Sequence, residues 1–245
     1  LTGQACAKDD RRVSRPALLL VAVIFSLSLQ GRALAEKPVK PTVAVLYFDY
    51  SGKKADLEPL REGLAQMLIT DLAEVGEIRV VERARLKAIL EEHGLAASGK
   101  VDAASAARVG KLLGARELVL GSFFDLAGTL RIDARVVEVE TGKIVRSVGV
   151  NGPAADFWGL ERDLAGKLSD TMRTALPAAF EHAAAPAAKP RPPKLAATTA
   201  VTYGRALAAA DAGKKAEARG LLSKVVEEAP AFTLAKQDLN ALLTP

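Results

Sequence analysis

The chain has 245 residues, with 34 Lys and Arg against 29 Asp and Glu, 4% aromatic residues and a single cysteine, Cys6. No dense basic stripe with interleaved aromatics occurs, so the composition argues against nucleic acid as a partner. One thiol near the start excludes a disulfide framework or a thiolate metal site for the rest of the chain.

Arg11, Arg12 and Arg15 precede an apolar run over residues 16–29, and Ala33-Leu34-Ala35 supplies a small–x–small site. The run is shorter than the roughly 20 residues of a membrane span, so residues 1–35 are read as a secretory signal cut between Ala35 and Glu36. Cys6 lies before the apolar core, where a lipid-carrying cysteine does not sit. Val13-Ser14 after Arg11-Arg12 lacks the apolar continuation of a twin-arginine signal, which leaves the general secretory route. Without residues 1–35 the chain loses five basic and two acidic residues, leaving 29 against 27 and a net charge near +2. The expectation is an exported, periplasmic protein held together by its core alone.

Residues 42–48, TVAVLYF, read as a buried strand ended by Asp49-Tyr50-Ser51-Gly52. Leu60, Leu64, Met67, Leu68 and Leu72 give residues 57–75 the spacing of an amphipathic helix. A second strand over 78–81 and a helix over 84–93 closed by Gly94 follow. Asp102 is the expected N-cap of a helix reaching Leu113, with Gly114 just past its end. Residues 117–124 form a strand, and Ala127-Gly128-Thr129 a turn. Leu130, Ile132, Ala134 and Val136 then alternate with Arg131, Asp133 and Arg135, so one face of that strand lies on a core and the other is wet. Glu140-Thr141-Gly142-Lys143 turns into a last strand, 144–150, and a long helix covers 156–176. The fold class is an α/β sandwich of three-layer type with a mixed sheet, read with its helices on one face. Two domains and a linker follow the leader boundary: the α/β domain over 36–180, an Ala/Pro/Lys-rich linker over 181–197, and a small all-α module over 198–245 with helices at 201–212, 215–228 and 232–243.

Four segments in order resemble the CsgG/FlgO/TolB-N-terminal-like superfamily: VAVLYFDYSG (43–52), IRVVERARLKAILEEHGLAASGKVD (78–102), AARVGKLLGARELVLGSF (106–123) and RIDARVVEVETGKIV (131–145). The likeness spans residues 42 to about 176. Its glycines read as structural: Gly110 and Gly114 for helix-to-sheet approach and a turn, Gly121 for close backbone approach in a strand, Gly142 for the hairpin, and Ser98-Gly99 in a connection. The tail resembles a tetratricopeptide repeat, with Ala206, Gly213, Ala218, Leu222 and Pro230 at the packing, turn and closing positions. One repeat falls short of the roughly three needed for independent stability, so the module docks on the main domain, pairs with another copy, or joins a partner's array. The resemblance implies a non-enzymatic periplasmic or outer-envelope interaction or assembly factor, peripheral to the outer membrane. Its partners would be envelope proteins, with homo-oligomers among the options, and it would need no cofactor and no small-molecule substrate. The alternative is a ring-forming subunit of a secretion or surface-fibre export apparatus. Without a lipobox cysteine or added membrane hairpins, the chain departs from the family's pore.

Chemistry-bearing residues point the same way. His93 suits a helix end, and His182 stands alone at the start of the linker, so no metal-ligand set is formed. Asp49, at a strand end, is either a turn residue or a functional carboxylate. No phosphate-cradling glycine loop and no nucleophile elbow occurs. Phe157 and Trp158 are either a partner anchor or a helix-docking pair. The expected partner surface is Arg131, Asp133 and Arg135, on the wet strand face, with a solvated sheet face as the bland alternative.

Overall fold

The computed structural model describes residues 39–94, 103–181, 183 and 193–244. The expected leader with its Ala35–Glu36 cleavage site, Cys6, Ser98-Gly99, Asp102, His182 and most of the linker lie outside the described residues. The strands are β1 (Thr42–Val45), β2 (Asp49–Tyr50), β3 (Arg79–Val80), β4 (Glu117–Leu126), β5 (Thr129–Glu138) and β6 (Ile144–Pro153). The helices are α1 (Leu60–Ala73), α2 (Arg83–Glu92), α3 (Ala103–Leu113), α4 (Phe157–Ala175), α5 (Pro177–Phe180), α6 (Ala197–Asp211), α7 (Lys215–Glu228) and α8 (Thr233–Leu243). All strands join one mixed sheet in the order β3-β1-β4-β5-β6, parallel at the β3-β1-β4 end and antiparallel from β4 to β6.

The first strand is shorter than the apolar run suggests. β1 stops at Val45, and the chain rejoins β4 as β2, with Asp49 beside Ser122 and Tyr50 beside Phe123. Val45 pairs with Val119, so four residues advance on this strand against three on β4, and one extra residue is accommodated. The Phe48 ring lies across β4 at Gly121, where a Cβ would come 2.0 Å from it. A missing side chain therefore buries an aromatic ring that is 0% exposed.

Two cores sandwich the parallel half of the sheet. Val43, Val45, Phe123, Ile132 and Val136 face Leu64 and Leu68 of α1 and Leu164 and Leu168 of α4. Ala44, Leu46, Leu118 and Val137 face Leu86 and Leu90 of α2 and Val109 and Leu113 of α3. Helices on one face alone was thus the wrong expectation: successive parallel crossovers put α2 and α3 opposite α1. Each fully buried leucine contributes about 2 kcal/mol of apolar burial.

Of the three ways to cover the tail, the structure shows docking on the main domain. α6 crosses α1 at Gly63 and Gly204, whose Cα lies 3.5 Å from the position a Gly63 Cβ would take. Tyr203 is fully buried, donates its hydroxyl to Asp238 Oδ2 at 2.6 Å and meets Phe232 edge-on at 5.1 Å between ring centroids. Ala206, Ala218 and Leu222 are buried inside the block, Gly213 forms the α6–α7 turn, and Pro230 is an exposed turn residue before α8.

Candidate functional site

α2 and α3 cover only part of their face of the sheet. Beyond them, alternate residues of β4, β5 and β6 share a face that no helix of the described residues packs on. Register fixes its rows: Phe124 beside Arg131 beside Asn151, then Ser122, Asp133 and Gly149, then Arg135 and Ser147 beside Leu120, which is half-buried against the α2–α3 core. All three sequence-predicted surface residues therefore stand on one bare face, with Phe124 42% and Leu126 71% exposed at its hairpin end. The hairpin itself is tight because Ala127 and Gly128 both take positive φ, the two-residue turn that suits strand twist.

The face is electrically uneven. Arg131 forks onto Asp133, with Nε 3.0 Å from Oδ2 and Nη2 2.7 Å from Oδ1, and this contact raises the guanidinium pKa. Gly149 makes room for the fork: a Cβ there would sit 2.4 Å from Asp133 Oδ1. Arg135 has no hydrogen bond or ion pair to its guanidinium among the described residues. An exposed pair such as Arg131–Asp133 adds little to stability.

The other candidates resolve into structure. Arg61 meets Asp49 at 3.4 Å while donating Nε to the Phe48 carbonyl at 2.8 Å, so the strand-end carboxylate ties β2 to α1. Phe157 is wholly buried, and Trp158 packs edge-on against Phe232 of the tail at 5.4 Å, which makes the pair an internal anchor. His93 closes α2 as an exposed residue. No group of three metal-ligating side chains gathers among the described residues, and none of their helices is long and apolar enough to cross a membrane.

Two polar clusters escaped sequence reasoning. Arg83 of the VVER segment donates to both carboxylate oxygens of Asp211, with Nη2 3.0 Å from Oδ1, and Lys87 donates to the Asp211 carbonyl at 3.3 Å. Burial pushes the neighbouring Tyr47 hydroxyl up to about 12 and raises the Glu62 carboxyl, with Arg83 opposing both. These groups join α1, α2 and α6, and nothing local announces a partner so far along the chain. Tyr50 and Lys54 likewise converge on Asp125, each at 2.5 Å, and hold its carboxyl below the usual range.

Glu117 stands beside Glu138 across β4 and β5 and is 2% exposed. Burial first, then repulsion from Glu138, pushes its carboxyl up to about 7, with Arg116 working the other way. The folded state therefore holds this proton more tightly than the unfolded chain. Its contribution is complete below the unfolded value near ~4.3 and is lost as pH rises through about 7. Glu117→Gln should accordingly melt about 3 °C or more above the parent at pH 8, with the gap narrowing towards pH 5. A gap independent of pH in thermal melts would exclude Glu117 as the titrating group.

Comparison with known proteins adds a family likeness at this point. Residues 25–127 match the family described as curli production assembly/transport component CsgG. The match covers less than half of the chain and ends in the β4–β5 turn, so the 131–145 segment and the long helix lie beyond it. A protein of Rhizobium meliloti (strain 1021) described as "Putative adenylate cyclase 3" is 25% identical over 205 residues, 84% of this chain and 33% of its own length. The chain thus spans a third of that curated relative. Among solved structures, lipoprotein GNA1162 from Neisseria meningitidis is 15% identical with a TM-score of 0.41, over 55% of this chain and 98% of its own. The LpoB C-terminal domain from Salmonella enterica is 16% identical with a TM-score of 0.40, over 52% and 91%.

Proposed function

We propose that this chain is a non-enzymatic, exported envelope factor that binds another protein through the bare face of β4, β5 and β6. The carrying observation is that face: a contiguous set of rows with exposed Phe124 and Leu126, an arginine fork and an uncompensated Arg135. The likeness of residues 25–127 to an assembly and transport component supports a role in assembly. The cyclase description belongs to a protein three times the length of the matched portion, and we assign this chain no reaction. The tetratricopeptide-like α6–α8 block acts as a fixed part of the same body, because α6 is seated on α1.

The test is capture from crosslinked envelopes. Arg131→Ala, Asp133→Ala and Arg135→Ala together should abolish recovery of the partner while the melting temperature stays within about 2 °C of the parent. Undiminished capture, or collapse of the fold, removes this face from consideration.

One observation favours a ring-forming subunit as the second reading. Phe124 and Leu126 lie at one end of the β4–β6 meander, and exposed Ile144 and Val145 at the other, as a head-to-tail contact between copies would need. A discrete multimer by light scattering, lost on substituting either end, would replace the adaptor reading.

A further inference from the structure

We propose that the free edge of β6 receives an extended acidic segment of the partner protein as an additional strand, with Arg135 as its counter-charge. This rests on the interaction-face reading above and goes further by naming what docks and how. β6 is ten residues long and pairs with β5 alone among the described residues. Apart from the Gly149 carbonyl, which accepts from Lys167, its outer edge therefore offers backbone donors and acceptors that an extended chain can pair with.

The side chains beside that edge are small on the bare face. Ser147, Gly149 and Asn151 occupy successive positions there, next to Arg135, Asp133 and Arg131 of β5. Long side chains of β5 can thus pass over β6 and meet a neighbour on its far side. Asp133 is already engaged by Arg131, whereas Arg135 has no partner among the described residues; Arg146, the single charged residue of β6, has none either but stands beside Val136 on the opposite face. The uncompensated charge along this edge is positive. Lys167 adds to it, donating Nζ to the Gly149 carbonyl at 2.7 Å, a cation of the kind that guards an edge against indiscriminate pairing.

Charge sign decides the occupant. A second copy presenting its own β6 would bring Arg146 and Arg135 towards their equivalents, with no acid on the strand to offset them. An acidic segment meets the guanidinium favourably.

Register supplies the test, because Ser147 stands directly beside Arg135. Ser147→Glu would give Arg135 an internal partner, and Ser147→Lys would add a second cation at an exposed position. The probe is a short peptide alternating glutamate with valine, compared with its lysine–valine counterpart, titrated into isotope-labelled full-length protein. The glutamate peptide should shift and protect the amides of β6, weaken with added salt, bind about fivefold less well to Ser147→Glu and bind more tightly to Ser147→Lys. Equal response to both peptides, no response at millimolar peptide, or a β6-mediated dimer of the protein itself overturns the proposal. Capture from envelopes separates it from the broader reading. Loss of the partner in the triple alanine variant but not in Ser147→Glu would keep the face and discard the added acidic strand.

Discussion

Gly204→Ala is expected to lower the melting temperature by about 6 °C and to loosen the α6–α8 block from the rest of the chain. A Cβ at this position would lie 1.9 Å from the Pro59 carbonyl oxygen and 2.7 Å from its carbon, both backbone atoms at the entrance to α1. Neither can swing aside as a long side chain would, so the helices must separate. Separation uncovers Tyr203, Phe232 and Trp158, which pack between the block and α4. Forcing a methyl into such a contact costs about 3 kcal/mol, more than the ~1 kcal/mol that alanine returns through helix propensity. Gly220→Ala is the control, because a Cβ there meets nothing within 4 Å, and it should raise stability slightly. Calorimetry and limited proteolysis read both variants. A Gly204→Ala protein that melts with the parent, its tail still protected, would show that the two helices do not touch there.

Arg83→Met should destabilise the fold by about 3 kcal/mol, with Arg83→Met/Asp211→Asn recovering part of the loss. Arg83 and Asp211 have side chains 11% and 19% exposed, so removing the guanidinium strands a carboxylate with little access to water. Burial and the Asp211 contact act in opposite senses on Arg83, and the contact wins, keeping the guanidinium pKa above its ordinary value. Losing Arg83 also removes the cation that opposes the rise of Tyr47 and Glu62. Denaturant melts of the four proteins in the double-mutant cycle should give a coupling of about 1 kcal/mol or more. Strict additivity would mean the pair contributes no energy to the join.

Together these predictions make the tail a structural partner of the α/β body. Its docking face is spent internally, on α1 through glycine and on α2 through Arg83. The partner recognition proposed above is therefore assigned to surface left uncovered among the described residues, above all the β4–β6 face. That is the reason the partner-capture and peptide experiments are aimed at Arg131, Asp133, Arg135 and Ser147.

Periodicity in the sequence was enough to place most elements. Residues 215–228 form a helix over the expected span, and the alternation from Leu130 to Val136 correctly marks a strand wet on one side. Such patterns are legible because they record which face of one element meets apolar surroundings, a property set within a few residues. Three features were not legible. Residues 42–48 read as one strand, yet the strand breaks after Val45, because Phe48 must lie over Gly121 of a distant strand. Arg83 reads as an ordinary charged helix residue, since its partner Asp211 is brought close only when α6 settles on α1. Phe124 and Leu126 sit in an apolar run indistinguishable from a buried strand, and Ser147 and Gly149 carry no signal at all. Whether a sheet face is covered depends on where the crossover helices land. Local pattern determined the elements and the wet side of β5; only the tertiary arrangement decided that this side, among the described residues, stays bare and joins an open edge, because burial and charge balance are sums over residues far apart in the chain.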